Sequence, residues 1–262
     1  MTERIALFGG VYSNHLALAA LLRDVPSRGA TRICCLGDLG AFGPHPDKVF
    51  PLLRDAGIPV IQGNYDNSVG NNLADCQCGY TDEKDNYFAR LSYEYTFKNT
   101  GPANKAWMRD LPSELRLDVN GLQVFLCHGS PRKTNEFLWE TTTSTAFLER
   151  LCEAYGAQVI VGTHTGLHWH RVLPNGRHFI NCGAIGRPAN DGRTCVWYTL
   201  LSVDEAKRVS VDFIPLAYDH ERLAAEMRAE RLPEEFVQTI ETGWWTTCLE
   251  VLPMKERARG VY

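Results

Sequence analysis

Residues 33–40 read Ile33-Cys34-Cys35-Leu36-Gly37-Asp38-Leu39-Gly40, an apolar run that stops on a glycine and a carboxylate. Apolar residues bounded by such a turn signal predict a short buried strand with Asp38 just past its carboxyl end. The pattern repeats on either side. Residues 4–8 predict a buried strand, followed by a helix with Leu16, Leu18, Ala19, Leu21 and Leu22 at helical spacing and Asn14 as its N-cap. Downstream, a helix through Val49, Leu52 and Leu53 leads to a short strand at 59–62, which ends in Gly63-Asn64-Tyr65-Asp66. Strand, loop, helix and strand at these lengths argue for βαβ units and a parallel sheet.

Beyond this core, residues 68–80 are polar and Gly/Asn-rich and read as a loop. Residues 82–97 carry a helical stripe of Tyr87, Phe88, Leu91 and Tyr95, and a small helix precedes Leu111-Pro112. Residues 115–119 and 122–127, separated by Asn120-Gly121, predict a hairpin with a type I′ turn. A helix around 144–155 leads to a strand at 158–161. Segments 169–173, 178–181, 195–200 and 208–214 then read as antiparallel strands, and amphipathic helices from His220 and Pro233 follow. With no repeat, linker or low-complexity tract, one domain over 1–262 is expected.

Composition narrows the function classes. The 262 residues hold 44% hydrophobic and 22% charged side chains, ordinary for a globular protein. Surface scaling puts roughly 73% of the chain's surface out of water on folding, enough for a core without staples. Twenty-seven basic against 31 acidic residues, with no Lys/Arg run above two, lend no electrostatic support to coating nucleic acid. No apolar stretch approaches membrane-spanning length, and the first residues read as running straight into a strand, so no signal peptide is expected. Nine cysteines, an odd number, fit reduced thiols better than a secreted disulfide framework, so a cytoplasmic setting is expected.

Ligands of open α/β sheets bind at the carboxyl ends of the strands. Asp38, Asn64, His128 and His164 each fall just past an apolar run and beside or near glycine. Singly, such an Asp or Asn is a turn former or helix cap, and such a His a hydrogen-bonded structural group. Four in succession favour a shared site. One carboxylate, one amide oxygen and two imidazoles suit a divalent transition ion: Mn, Fe, Co, Ni or Zn.

On these residues the chain resembles the calcineurin-like metallophosphoesterases. Gly37-Asp38-Leu39-Gly40 resembles the family's Gly-Asp block, and Gly63-Asn64-Tyr65-Asp66 its Gly-Asn-His-Asp block. Cys127-His128-Gly129-Ser130-Pro131 is similar to its single-His strand end, and Gly162-Thr163-His164-Thr165 to its Gly-His-x-His block. Asn181-Cys182-Gly183-Ala184-Ile185-Gly186 resembles a late Asn-Pro-Gly-Ser-Val-Gly turn. The resemblance implies an α/β fold, a four-layer α/β/β/α sandwich with mixed sheets over 1–218, closed by C-terminal helices over 219–262. It also implies two metals at the strand ends.

The departures from the family pattern are concentrated. Its Asp-x-His block falls at Gly10-Val11-Tyr12, and the second His of its last block at Gly166. By resemblance, those three positions serve one ion alone, Asp38 bridges both ions, and Asn64, His128 and His164 serve the other. A mononuclear site is therefore expected. The family's general acid aligns with Tyr65, and a phenol with pKa near 10 donates a proton less readily than imidazole. A lone ion would still polarise a phosphoryl oxygen and activate a water, with a terminal rather than a bridging nucleophile.

Other residues leave alternatives open. Tyr12 either ligates through a phenolate or packs over the strand end. His168 and His170 share one strand face and are solvated or substrate-facing. Asp75-Cys76-Gln77-Cys78 is by default a loop with two thiols; a soft-metal or redox pair is the alternative. Among Arg132, Arg171, Arg187 and Arg193, Arg187 is the first choice for a phosphate contact. Exposed tryptophan at Trp244-Trp245 would mark a subunit interface and a homo-oligomer. The expected function is a phosphoester hydrolase acting on a small phosphorylated molecule. In it, Asp38, Asn64, His128 and His164 hold metal, Tyr12 and Tyr65 line the centre, Asp66 orients its neighbours, and Arg187, His168 and Arg171 bind substrate. The competing expectation is a binding or scaffold protein that keeps the fold without catalysis.

Overall fold

The computed structural model describes residues 1–258; the last four residues of the expected domain, 259–262, lie outside them. β1 (Glu3–Phe8), α1 (His15–Asp24) and β2 (Arg32–Cys35) form the expected unit of strand, helix and parallel strand, Ile5 facing Arg32 and Phe8 facing Cys35. Asn14 caps α1 by accepting from the Ala17 N–H at 2.9 Å. After α2 (Val49–Asp55), the strand expected at 59–62 shrinks to a single parallel bridge, Cys35 to Val60. Pro59 has no N–H to give a ladder, and the Gln62 N–H turns away to the Pro112 carbonyl at 2.7 Å.

α3 (Asn64–Gly70) starts on the Gly-Asn-Tyr-Asp block itself, so part of the segment expected as a loop from 68 is helical. α4 (Glu83–Asn99) and α5 (Pro102–Arg109) follow. β3 (Glu114–Val119) and β4 (Leu122–Cys127) make the expected hairpin, with positive φ at both Asn120 and Gly121 as a type I′ turn requires. α6 (Thr145–Ala154), capped by Ser144, leads into β5 (Val159–Gly162). β6 (His168–Val172), β7 (His178–Cys182), β8 (Val196–Val203) and β9 (Val209–Leu216) complete the sheets. Then come α7 (His220–Ala229), α8 (Glu234–Thr242) and a short α9 (Met254–Arg257). Among the described residues, no helix is long and apolar enough to cross a membrane.

One sheet runs β2-β1-β8-β9 and the other β3-β4-β5-β7-β6. The strands from β6 onward are antiparallel to one another within each pair, but β7 lies parallel to β5. Alternation along β1 sends Ile5 and Leu7 to one face and Ala6 and Phe8 to the other. Ile5, Leu7, Leu36, Leu126, Val161 and Ile180 fill the seam between the sheets. Leu18, Leu21, Phe50 and Leu53 cover the outer face of the first sheet, and Leu148 and Leu151 of α6 cover Phe125, Ile160 and Phe179 of the second. The result is the expected α/β/β/α sandwich with two mixed sheets. β1, β2, β4, β5 and β7 end on the same side, which gathers the turns after them into one place.

Candidate metal centre

The turns at 37–39 and 63–66 interlock. Gly37 has φ +83°, and a Cβ there would stand 2.3 Å from the Gly63 nitrogen; a Cβ on Gly63 would stand 2.3 Å from Asp38 Oδ1. Only glycine permits this approach. Asp66, fully buried, ties the two turns together: its Oδ2 accepts from the Asp38 and Gly63 N–H groups, each at 2.8 Å, and its Oδ1 from Leu39 N–H at 3.0 Å. Burial, reinforced by the Asp38 charge, pushes the Asp66 carboxyl up to about 6 despite these three donors.

Asp38 is presented from a left-handed backbone, φ 56°, and its Oδ1 accepts from the Tyr65 N–H at 3.0 Å. His164 likewise has φ 59°. Non-glycine residues held there cost roughly 1–3 kcal/mol each and mark over-determined sites. The turn carrying His164 is held by Asn181, whose amide donates to the Thr163 carbonyl at 2.7 Å and to Thr165 Oγ1 at 2.9 Å.

The His128 ring lies 2.6 Å from the Leu36 carbonyl through Nδ1. A carbonyl only accepts, so Nδ1 carries the hydrogen and Nε2 faces inward, 3.2 Å from Asp38 Oδ2 and 3.3 Å from His164 Nδ1. Asp38, His128 and His164 thus offer ligand atoms within 4.8 Å of one another, all buried. Asn64 starts α3, directly before the Tyr65 N–H that bonds Asp38. Its Nδ2 donates to the Cys76 carbonyl at 2.8 Å and approaches Cys78 Sγ at 3.4 Å, which leaves Oδ1 buried and without a hydrogen-bond partner. A buried acceptor in that condition costs about 1–3 kcal/mol unless something takes it up. Carboxylate, imidazoles and an unclaimed amide oxygen together fit a divalent transition ion.

Charge is polarised across the group. Burial works against the Asp38 carboxylate, yet the charge and hydrogen bond of His128, with His164 beyond, hold it below the usual range. Burial likewise opposes a charged His128, but Asp38 outweighs it and holds the imidazole above its ordinary value. Burial and the His128 charge push His164 down to about 3, so it stays neutral, as a metal ligand must.

The positions that lack ligands are filled. A Cβ on Gly10 would stand 2.8 Å from Tyr12 Cζ and 2.9 Å from its hydroxyl, so the phenol lies over the strand end. Burial pushes that phenol up, which keeps it protonated rather than a phenolate. The indole of Trp245 lies 3.4 Å from where a Gly166 Cβ would be. Phenol and indole therefore pack against Gly10 and Gly166, two of the positions at which the family resemblance expects ligands.

A calcineurin-like phosphoesterase superfamily domain model matches residues 4–206. The chain belongs to that family. An uncharacterized protein of Methanocaldococcus jannaschii is 25% identical over 254 residues, which cover 91% of this chain and 98% of that protein. A hypothetical protein from Pyrococcus horikoshii OT3 superposes with TM-score 0.75 at 20% identity, over 93% of this chain and 99% of its own. A metallophosphoesterase from Sphaerobacter thermophilus superposes with TM-score 0.69 at 24% identity, over 93% and 100%. These structures share the fold. As a calcineurin-like phosphoesterase, this chain carries the possible metal triad Asp38, His128 and His164 where the family's strand ends converge.

Other expected site residues are placed differently. The Tyr65 hydroxyl donates to Ser92 Oγ at 3.0 Å in α4, so only its main chain touches Asp38. The His168 ring packs between Trp197 and Phe213, with centroids 4.5 and 4.6 Å away. The Arg171 guanidinium donates to the Thr143 and Glu140 carbonyls at 2.6 and 2.5 Å. Neither is drawn to the triad by these contacts. Arg187 is different: only 5% exposed, it lies 3.5 Å from the Trp245 ring, 4.7 Å from Phe42 and 5.9 Å from Tyr12. Its Nε has no hydrogen-bond partner, and among the described residues no carboxylate pairs with it. Trp245 itself is 4% exposed and donates to the Pro188 carbonyl at 2.6 Å, so it serves its own chain rather than an open interface. The cover formed by Trp245, Phe137 and Leu252 escaped sequence reasoning; the paired tryptophans in a polar tail were its one signal.

Proposed function

We propose that this chain is a metal-dependent phosphoester hydrolase for a small phosphorylated molecule, working with one divalent transition ion. The observation that carries the reading is the convergence of Asp38, His128 and His164 within 4.8 Å of one another; Asn64, whose Oδ1 is buried and unclaimed, directly precedes the Tyr65 N–H that bonds Asp38. An ion bound there supplies Lewis acidity to a phosphoryl oxygen and acidifies water. Asp38, Asn64, His128 and His164 hold it; Asp66 fixes the two turns that aim Asp38 and Asn64. Tyr12 lines the centre on the side of Gly10, Tyr65 steadies Asp38 through its N–H, and Arg187 offers an unpaired guanidinium to phosphate. His168 and Arg171 act at most through the strand and loop that they brace. Seven free cysteines support a reducing, cytoplasmic setting.

Burial favours the competing reading of a binding protein without turnover, since none of the four ligands is more than 8% exposed. One experiment separates the two. Generic phosphomonoesters and phosphodiesters are assayed with Mn, Fe, Co, Ni and Zn, comparing the native chain with Asp38→Asn and His164→Ala. Metal-dependent turnover lost in both variants supports the hydrolase. Absence of turnover with every metal, in folded protein that binds metal, supports the binding protein.

A further inference from the structure

The Asp75-Cys76-Gln77-Cys78 segment lies against two of the four ligands. Gln77 adopts φ 52°; the two cysteines flanking it are 5% and 8% exposed, with Cα atoms 5.4 Å apart, and joined as a disulfide. The Cys76 carbonyl and Cys78 Sγ are the partners of Asn64 Nδ2, at 2.8 and 3.4 Å, and so dictate which way the Asn64 amide faces. The same segment reaches His164 by a second route. Asn135 donates to the Gln77 carbonyl at 2.7 Å, the Tyr80 ring stacks on Phe137 at 5.8 Å, and Phe137 lies 4.4 Å from the His164 ring. On its outer side the segment lines an open groove of about 700 Å³ against α4. The other seven cysteines are free. A single close pair among reduced thiols is the pattern of a redox-responsive pair rather than a structural framework.

Resting on the metal-centre reading above, we infer that Cys76 and Cys78 are a reversible thiol–disulfide pair that sets the metal affinity of the site by positioning Asn64 and His164. The disulfide form holds the segment closed behind both ligands. Reduction consumes two molecules of a small thiol: one attacks a cysteine sulfur to give a mixed disulfide, the second releases the protein thiol. The products are two cysteine thiols and one small-molecule disulfide, so two electrons and two protons pass to the protein. The freed segment then no longer dictates the amide of Asn64. Groups that orient ligands from behind typically change metal affinity 10–100-fold when lost.

The test titrates full-length protein with Mn(II), reading free ion by electron paramagnetic resonance, after equilibration with glutathione disulfide or with a phosphine reductant. Alkylation and mass measurement count thiols in each state. The expected result is two fewer alkylatable thiols in the oxidised protein and about tenfold tighter Mn(II) binding. Cys76→Ser/Cys78→Ser should bind like the reduced native chain under both conditions; the native comparison stands alone if that variant fails to fold. Equal affinities in the two states, tighter binding after reduction, or no change in thiol count would overturn the inference. If binding is equal but disappears in Asp38→Asn, the redox inference falls and the metal centre stands. If neither state binds Mn(II), both fall.

Discussion

Gly37 and Gly63 are where single atoms decide whether the centre forms. Gly37→Ala places a methyl 2.3 Å from the Gly63 nitrogen and 2.6 Å from the Ile61 carbonyl, on a backbone at φ +83°. The expected loss is at least about 2 kcal/mol in urea unfolding, together with loss of metal binding. A variant of native stability would contradict the interlocked turns. Tyr65→Phe removes only the hydroxyl bonded to Ser92 and should cost about 1 kcal/mol by the same measurement. At this scale the sequence was readable: Asp38, Asn64, His128 and His164 each stand just past an apolar run marked by glycine. The directions of the Tyr65 and Arg171 side chains were not, because they depend on the elements met, here α4 and the 140–145 segment.

Among the elements, β6 and β7 carry a cross-strand imidazole pair, His170 Nε2 to His178 Nδ1 at 2.9 Å. Burial, then the His170 charge, pushes His178 from 6.5 down to about 4. Between those values unfolded His178 binds a proton that the folded ring refuses, so the unfolded state gains protons and stability falls as pH drops. His178→Gln should flatten the pH dependence of unfolding across this window; unchanged slopes would show that the ring titrates freely in the fold. The α8-to-α9 segment gives a second expectation. Trp245→Ala opens the space beside Gly166 and Arg187 and should cost roughly 3–5 kcal/mol, the usual penalty for deleting a buried tryptophan. The hairpin at Asn120-Gly121 and the Asn14 cap were legible because their signals are local. The truncation of the 59–62 strand was not, since it follows from where Pro112 lies.

For the molecule as a whole, the number of ions is the decisive quantity. Metal analysis of saturated protein should return about one equivalent per chain, because Tyr12 and Trp245 stand where a second set of ligands would be. Two equivalents would show that other groups rebuild the second position. Binding should also stabilise the fold by about 2.7 kcal/mol at one hundred times the dissociation constant, raising Tm in the native chain and not in Asp38→Asn.

The order of apolar runs, their glycine-marked ends and the chemistry of four side chains were set by the amino-acid sequence alone, since periodicity and turn chemistry act over a few neighbours. Only the tertiary structure decided that β7 joins β5 in parallel, that Cys76 and Cys78 back Asn64, and that Trp245 closes the ground beside Gly166. Those outcomes are contacts between segments up to some 80 residues apart in the chain, chosen by which packing excludes the most water, and no local pattern encodes them.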